Sequence, residues 1–256
     1  MRRLISTSCA AVLLAAVPLA AVPLVAMLAW PAVAEITNTD ECKAALAADP
    51  AKAREDAAVW ERSGGGVPAR LCSAAALAAT GAHATAAQML TALAENPNRA
   101  MSTGLRVQTL VDAADQWLAA GKPDLARALI DRADTVTPPD AGRLVLAARA
   151  AAAEEDWPAA ATALRAALTT TPDDALAHAL LAAALRNGGD AAAALPEADR
   201  AVALAPDLPE AMFEQGAARA ETGDAKGASA AWLALIEQHP DSSLAGLARL
   251  NLQRLP

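Results

Sequence analysis

The stretch ALTTTPDD, residues 167–174, decides the fold of this chain because it ends an alanine-rich helical pattern on a proline. The same kind of ending is found in ADTVTPPD, residues 133–140, and in AVALAPD, residues 201–207. A proline cannot continue a helix, since it lacks the backbone N–H and its ring clashes with the preceding turn. Pro138, Pro172, Pro206 and Pro240 follow one another at intervals of 34 residues. A fixed period of this length predicts a stack of repeated structural units.

Each 34-residue unit also repeats a short break between two helical segments. The breaks begin 17 residues before each proline, at Gly121, Glu155, Gly189 and Gly223. Glycine suits a chain reversal because it tolerates positive φ, and an Asp that follows it can cap the next helix.

Alanine dominates the composition, whereas Tyr is absent and Phe occurs once. Because alanine is the best helix former and strand-forming residues are scarce, we expect an all-α protein.

These units resemble the tetratricopeptide repeat (TPR) family, whose members are built from 34-residue helix–turn–helix units. The resemblance rests on small residues at three positions of each unit, in addition to the proline. These positions hold Ala114, Ala148, Ala182 and Gly216 midway through the first helix, Ala126, Ala160, Ala194 and Ala228 early in the second, and Ala133, Ala167 and Ala201 later, where the last unit has Leu235. The resemblance implies a right-handed superhelical α-solenoid with four regular units in residues 107–240.

The pattern is weaker on both sides of the four regular units. Residues 67–104 are interpreted as a degenerate unit, best matched in residues 71–97, followed by a connector in residues 98–104. Residues 35–66 are predicted to form an irregular helix pair broken at Asp49-Pro50, because proline interrupts a helix. Residues 241–256 are predicted to form a capping helix that covers the last apolar face of the array.

The N-terminal residues 1–34 are predicted to be a secretory signal. Arg2 and Arg3 precede an apolar run over residues 9–30, and a small-residue cleavage site ends at Ala34. An uncleaved inner-membrane anchor formed by residues 9–30 is the alternative, since the run is long enough to cross a bilayer. We therefore expect a protein of the periplasm of a Gram-negative bacterium, with membrane contact only if this segment is retained.

The charge of the chain argues against nucleic acid as a partner. The net charge is -8, and residues 1–34 carry two arginines and no acids, so their removal gives -8 - 2 = -10. An acidic surface repels phosphate backbones.

In an exported protein Cys42 and Cys72 are predicted to form a disulfide, and two buried thiols in a core of small residues are the alternative.

No pattern typical of catalysis or metal binding is found. His83, His178 and His239 fall in different units, and no nucleophile and base have a plausible spacing. Gly64-Gly65-Gly66 lacks the Lys and Ser/Thr of a phosphate loop, so we interpret it as a helix connector. We expect neither a cofactor nor a small-molecule substrate, and we predict a non-enzyme. An enzyme with its site in residues 35–100 is the less favoured alternative.

The TPR resemblance implies that the first helix of each unit lines a concave surface that binds a protein or peptide. The predicted signal segment and disulfide, together with the repeat array, place this partner in the cell envelope. The predicted partner-binding residues are Gln108, Val111, Asp115, Val145, Arg149, Arg186, Asn187 and Phe213. Arg149 and Arg186 are expected either to hold a partner carboxylate or to pair with neighbouring acids such as Glu154 or Asp190. The predicted function is that of an interaction scaffold, and a self-associating structural protein is the alternative.

Overall fold

The structure is a computed structural model that describes residues 36–96 and 101–255, so the predicted signal segment lies outside the described residues. The described residues form thirteen α-helices and contain no strand. Consecutive helices pack against one another along the chain, which is the arrangement of an α-solenoid and confirms the predicted all-α fold. Within these residues no helix combines the length and the apolar character needed to span a membrane.

The N-terminal part comprises α1 (Thr39–Ala48), α2 (Pro50–Trp60), α3 (Gly66–Ala79) and α4 (His83–Glu95). Between α1 and α2 the side chain of Asp49 accepts a hydrogen bond from the backbone N–H of Lys52 at 3.0 Å, which caps α2. A wide turn, Glu61–Gly65, leads directly into α3. Gly64 in this connector and Gly66 at the start of α3 have positive φ. Helix α3 therefore begins before residue 71, where the sequence match starts.

Four helix pairs follow, and each pair is one repeat unit. They are α5 (Thr103–Ala119) with α6 (Pro123–Val136), α7 (Ala141–Ala153) with α8 (Trp157–Thr170), α9 (Ala175–Asn187) with α10 (Ala191–Leu204), and α11 (Pro209–Glu221) with α12 (Ala225–Gln238); α13 (Ser243–Leu252) ends the array. The hydroxyl of Ser102 accepts from the N–H of Leu105 at 3.2 Å, so α5 begins at Thr103. Gly104 therefore lies inside a helix, not in the predicted connector.

The turns between paired helices have the backbone conformation that the glycine pattern predicts. The φ angles are 69° at Gly121, 89° at Gly189 and 91° at Gly223. In the second unit Glu155 takes the same place with φ 61°, and it is the one non-glycine residue with positive φ in the described part of the chain. The left-handed conformation is therefore required by the turn, even where glycine is missing.

The small residues of the repeat pattern lie where the helices cross. The ten alanines named from the sequence at the three small positions, and Leu235, are each at most 2% exposed, and Gly216 is buried as well. Small side chains let two helix backbones approach closely, and larger residues such as Leu164, Leu181 and Leu235 fill the space that remains. The core is thus a series of contacts between neighbouring helices, with no single centre.

Gly216 is required by the size of Trp232. A Cβ atom at residue 216 would lie 2.6 Å from Cδ1 of Trp232, whereas the equivalent pair in the second unit is Ala148 with Leu164. We expect Gly216→Ala to lower the free energy of unfolding by about 2 kcal/mol, because overpacking a core typically costs this much. Urea denaturation followed by circular dichroism measures the change.

Two further variants isolate the steric cause. Gly142→Ala is the matched control, because its new Cβ would meet only Asp140 Oδ1, at 3.5 Å, and we expect no loss of stability. Combining Gly216→Ala with Trp232→Leu restores the pairing of the second unit, so the double variant should be more stable than the sum of the two single losses. If the two losses simply add, the clash with Trp232 is not the cause.

The junction between the first and second units contains a polar pair. Arg143 on α7 is 2% exposed, and it donates hydrogen bonds to the carbonyls of Thr137, at 2.8 Å, and Pro138. Its Nε lies 2.7 Å from Oδ1 of Asp134 on α6 and pairs with it by charge without a well-directed hydrogen bond. Burial raises the pKa of Asp134, and the charge of Arg143 opposes that rise. The three later junctions have an apolar residue and an alanine at these two places, namely Leu168 and Ala177, Val202 and Ala211, Ile236 and Ala245.

Candidate functional site

A row of cavities lies between the first helices of consecutive units, and we call them the first to fourth inner cavities in chain order. The first, of about 440 Å³, lies between α3, α4 and α5, and the second, of about 370 Å³, lies between α5 and α7. The third, lined mainly by α7, α8 and α9, and the fourth, lined by α9, α11, α12 and the residues from α13 onward, are each about 370 Å³. We take this row of cavities as the candidate site, because binding sites for ligands and peptides are usually concave and largely preformed.

Most of the predicted partner-binding residues line these cavities. The second cavity brings together Gln108, Val111, Asp115, Val145 and Arg149. Arg186 and Phe213 line the fourth cavity, about two units further along the array. Asn187 is the last residue of α9, is exposed, and does not line any of the four inner cavities. Seven of the eight predicted residues therefore form two groups, one at the second cavity and one at the fourth.

Arg149 is paired with a carboxylate of the preceding unit. Its Nη1 lies 3.0 Å from Oδ1 of Asp115, which occupies the same repeat position 34 residues earlier. Both side chains are almost half exposed, at 46% and 44%, so this ion pair contributes at most about 1 kcal/mol. Glu154, one of the neighbours considered from the sequence, pairs with Arg127 instead. Arg149 is thus held by an acid, although not by one of the two acids named as examples.

Arg186 is held more firmly, by two carboxylates of the next unit. Nε and Nη2 contact the two carboxylate oxygens of Glu214 at 2.8 and 3.3 Å, and Nη1 contacts Glu221 at 3.1 Å. Burial alone would lower the pKa of Arg186, but the hydrogen bonds and charges of Glu214 and Glu221 raise it. The side chain of Glu214 is only 11% exposed. Removing Arg186 would therefore leave a buried carboxylate without its cation.

Asp112 has a different environment, because it forms no ion pair with any cation in the described part of the chain. It lines both the first and the second cavity, and its Oδ1 accepts a hydrogen bond from the amide of Gln108 at 2.8 Å. No Lys or Arg in residues 36–96 or 101–255 lies within ion-pair distance of it. Loss of surrounding water raises the pKa of Asp112, Gln108 lowers it, and the like charge of Asp115 raises it further. Since the residue remains exposed to solvent, we expect the shift to be modest.

The third cavity is largely apolar, whereas the fourth combines aromatic side chains with charged ones such as Arg186 and Glu221. The third is lined mostly by alanine and leucine together with Trp157. In the fourth, the rings of Phe213 and Trp232 lie 6.4 Å apart at 38°, and the indole N–H of Trp232 donates to the carbonyl of Phe213 at 3.1 Å. Trp232 is buried, so Phe213 is the ring of this pair that is open to a partner side chain.

Sequence reasoning missed Asp112, Trp157 and the contribution of residues 251–255 to the fourth cavity. Aligning the units draws attention to Asp112, because the same repeat position holds Leu146 and Leu180 in the next two units and an acid again, Glu214, in the fourth. The three histidines lie in separate contacts with Gln116, Glu197 and the carbonyl of Asp207. Across the described residues no group of three or more His, Cys, Asp or Glu side chains could hold a metal ion.

Cys42 and Cys72 lie at the N-terminal end of the array, and neither of them lines one of the four inner cavities. The sulfurs of Cys42 on α1 and Cys72 on α3 lie within bonding distance at 1.97 Å, and their Cα atoms are 6.0 Å apart, as in a disulfide. Both residues are buried beside Ile36, Ala53 and Ala76. The bond therefore ties the irregular first helices to the first unit-like pair.

Solved structures with the same architecture are TPR proteins. YrrB, described as a TPR protein with an unusual peptide-binding site, is 17% identical, with a TM-score of 0.53, and the match covers 72% of this chain and 91% of YrrB. TTC0263, a thermophilic TPR protein of Thermus thermophilus, is 21% identical, with a TM-score of 0.56, covering 73% of this chain and 96% of TTC0263. MamA of Desulfovibrio magneticus RS-1 is 16% identical, with a TM-score of 0.56, covering 66% of this chain and 93% of MamA.

These likenesses establish the fold and nothing more. Identities this low carry no information about the partner. No protein-family profile matches the chain, and no curated protein sequence matches it.

Proposed function

We propose that this chain, whose fold is that of the TPR proteins, is an exported, non-catalytic scaffold that binds a protein or peptide partner on the surface formed by the inner cavities. The observation that carries the proposal is the second inner cavity, where five of the eight residues selected from the sequence lie together. Apolar cavities on either side of this group offer places for side chains of an extended or helical segment. The peptide-binding site described for YrrB supports the same kind of partner.

The proposed location is the periplasm of a Gram-negative bacterium. The signal pattern of residues 1–34 and the pair Cys42 and Cys72 support it, since disulfides persist in oxidising compartments. Anchoring to the inner membrane by residues 9–30 is the alternative. N-terminal sequencing of the protein isolated from its own cells distinguishes the two, because cleavage after Ala34 gives a chain that begins at Glu35.

Self-association is the second candidate function, favoured by the end of the array. On α13 the side chains of Leu247 and Leu250 are 48% and 49% exposed. Leu250 occupies the small-residue position of the repeat, which in the complete units packs against the second helix. A second copy that covers this face would make the mass in solution depend on concentration, which sedimentation velocity measures.

Crosslinking in cells at native expression, followed by capture and mass spectrometry, tests the scaffold proposal. The groove variant is Val145→Gln combined with Arg149→Gln, because both side chains line the second cavity and neither pairs with a buried charge. The matched control is Arg165→Gln, which removes the same charge from an exposed place on α8. We expect a discrete partner that is captured by wild type and by the control and lost by the groove variant.

The other outcomes decide against this surface or against the scaffold. A partner that both variants capture equally would contradict the inner cavities as the binding surface. Capture of the chain itself and nothing else would favour self-association.

A further inference from the structure

The charges that line the second inner cavity do not balance. Two cations line it, but Arg143 is buried and engaged with Asp134 and with backbone carbonyls, and Arg149 is engaged with Asp115. The carboxylate of Asp140 caps α7 by accepting from the N–H of Arg143 at 2.8 Å, and it has no cation of its own among the described residues.

Three carboxylates therefore line the cavity, namely Asp112, Asp115 and Asp140, and within residues 36–96 and 101–255 one lining arginine, Arg149, is available to neutralise them. The cavity keeps a net negative charge, within a chain whose total charge is already -8. A surface of one charge attracts segments of the opposite charge and rejects those of its own.

Asp112 carries part of this excess charge, and it lines both the first and the second cavity, each of which also presents apolar side chains. On one side Leu71, Ala74 and Leu90 line the first cavity. On the other side Val111 and Val145 line the second. A segment that lies across α5 thus meets apolar surface, then an accessible carboxylate, then apolar surface again.

We propose that the partner segment is cationic, with a Lys or Arg side chain that pairs with Asp112 and apolar side chains that fill the first and second inner cavities. This inference rests on the proposed function and specifies the chemistry of its partner. It also reverses the expectation that arginines of this surface hold a partner carboxylate, since both of those arginines are already paired with acids.

The environment of Asp112 is consistent with this assignment. Loss of water and the nearby charge of Asp115 raise the pKa of its carboxyl group, and both effects disfavour an isolated negative charge there. A bound ammonium or guanidinium group relieves the second effect directly and adds a charge-assisted hydrogen bond. The site is therefore better satisfied when a cation occupies it.

Selection from a random twelve-residue peptide library displayed on phage, with the full mature chain as the target, tests the inference. We expect enriched peptides to carry Lys or Arg beside Leu, Ile or Val. Synthetic versions should bind Asp112→Asn about tenfold more weakly than wild type, which corresponds to one charge-assisted hydrogen bond. Asp131→Asn is the matched control, because Asp131 is exposed on α6 and its replacement removes the same charge. This control should bind within about twofold of wild type.

Further variants separate the failure of the inference from the failure of the proposed function. Asp112→Ser is the second variant if Asp112→Asn does not fold, and circular dichroism checks both. Enrichment of acidic or neutral peptides, no enrichment at all, or equal losses with Asp112→Asn and Asp131→Asn would overturn the cationic partner. Val145→Gln tests the surface itself, and if every enriched peptide still binds this variant, the inner cavities are not the binding site and the proposed function fails as well.

Discussion

Replacing Cys42 and Cys72 with alanine is expected to lower the free energy of unfolding by about 3–4 kcal/mol. The two residues are separated by 30 positions, and a disulfide that closes a loop of this size removes a corresponding amount of entropy from the unfolded chain. The effect is large because the helices joined by the bond share a small core, in which alanines such as Ala53 and Ala57 predominate.

Hydrogen exchange of the α1 and α2 amides, together with urea denaturation, measures this effect in the part of the chain where it arises. Reductant should destabilise wild type by the same amount and should leave the double alanine variant unchanged. A wild-type midpoint that does not respond to reductant would contradict the disulfide and would favour the alternative of two buried thiols.

Arg143→Ala is expected to lower the free energy of unfolding by about 3 kcal/mol. The substitution removes two hydrogen bonds to the carbonyls that follow α6 and leaves Asp134 beside a vacated, buried site. The lower end of the range for a broken buried pair applies, because the side chain of Asp134 is 36% exposed. The shift in the urea midpoint at constant slope measures the loss.

The other units supply the rescue for this variant. Asp134→Leu combined with Arg143→Ala reproduces the pairing of Leu168 with Ala177, so we expect the double variant to regain most of the lost stability. Arg165→Ala, on the exposed face of α8, is the control and should change stability by less than about 0.5 kcal/mol. If Arg143→Ala is neutral, or if the double variant is no better than the single one, the pair is not what holds this junction.

The architecture could be predicted from the sequence because repetition multiplies a weak local signal. A single proline or alanine gives little information about the fold. The same helix contact is indicated in four units by alanines spaced 34 residues apart, at Ala126, Ala160, Ala194 and Ala228. The turn at Glu155 was predicted by its place in the repeat although the residue itself does not favour positive φ.

The partners of the charged side chains could not be predicted in the same way. The bond between Arg149 and Asp115 joins equivalent positions of adjacent units, but Arg186 reaches Glu214 and Glu221, which occupy two other repeat positions. Long flexible side chains choose among several acids within reach, and the choice depends on burial and geometry that a spacing does not encode. For the same reason the excess negative charge around Asp112 could not be predicted from the sequence. It is recognised only when the ion-pair partner of each charged side chain is known.

The polar pair of the first junction, Arg143 and Asp134, also helps to determine the order in which four units of equal length stack. A chain folding with one unit skipped would set α6 against α9 and bring the carboxylate of Asp134 beside Ala177, with no cation to meet it. Likewise, the indole of Trp232 fits against Gly216 but not against the alanines that hold the equivalent place in the other units. Mispaired stacks are thereby penalised at both ends of the array, which favours a single order of the four units.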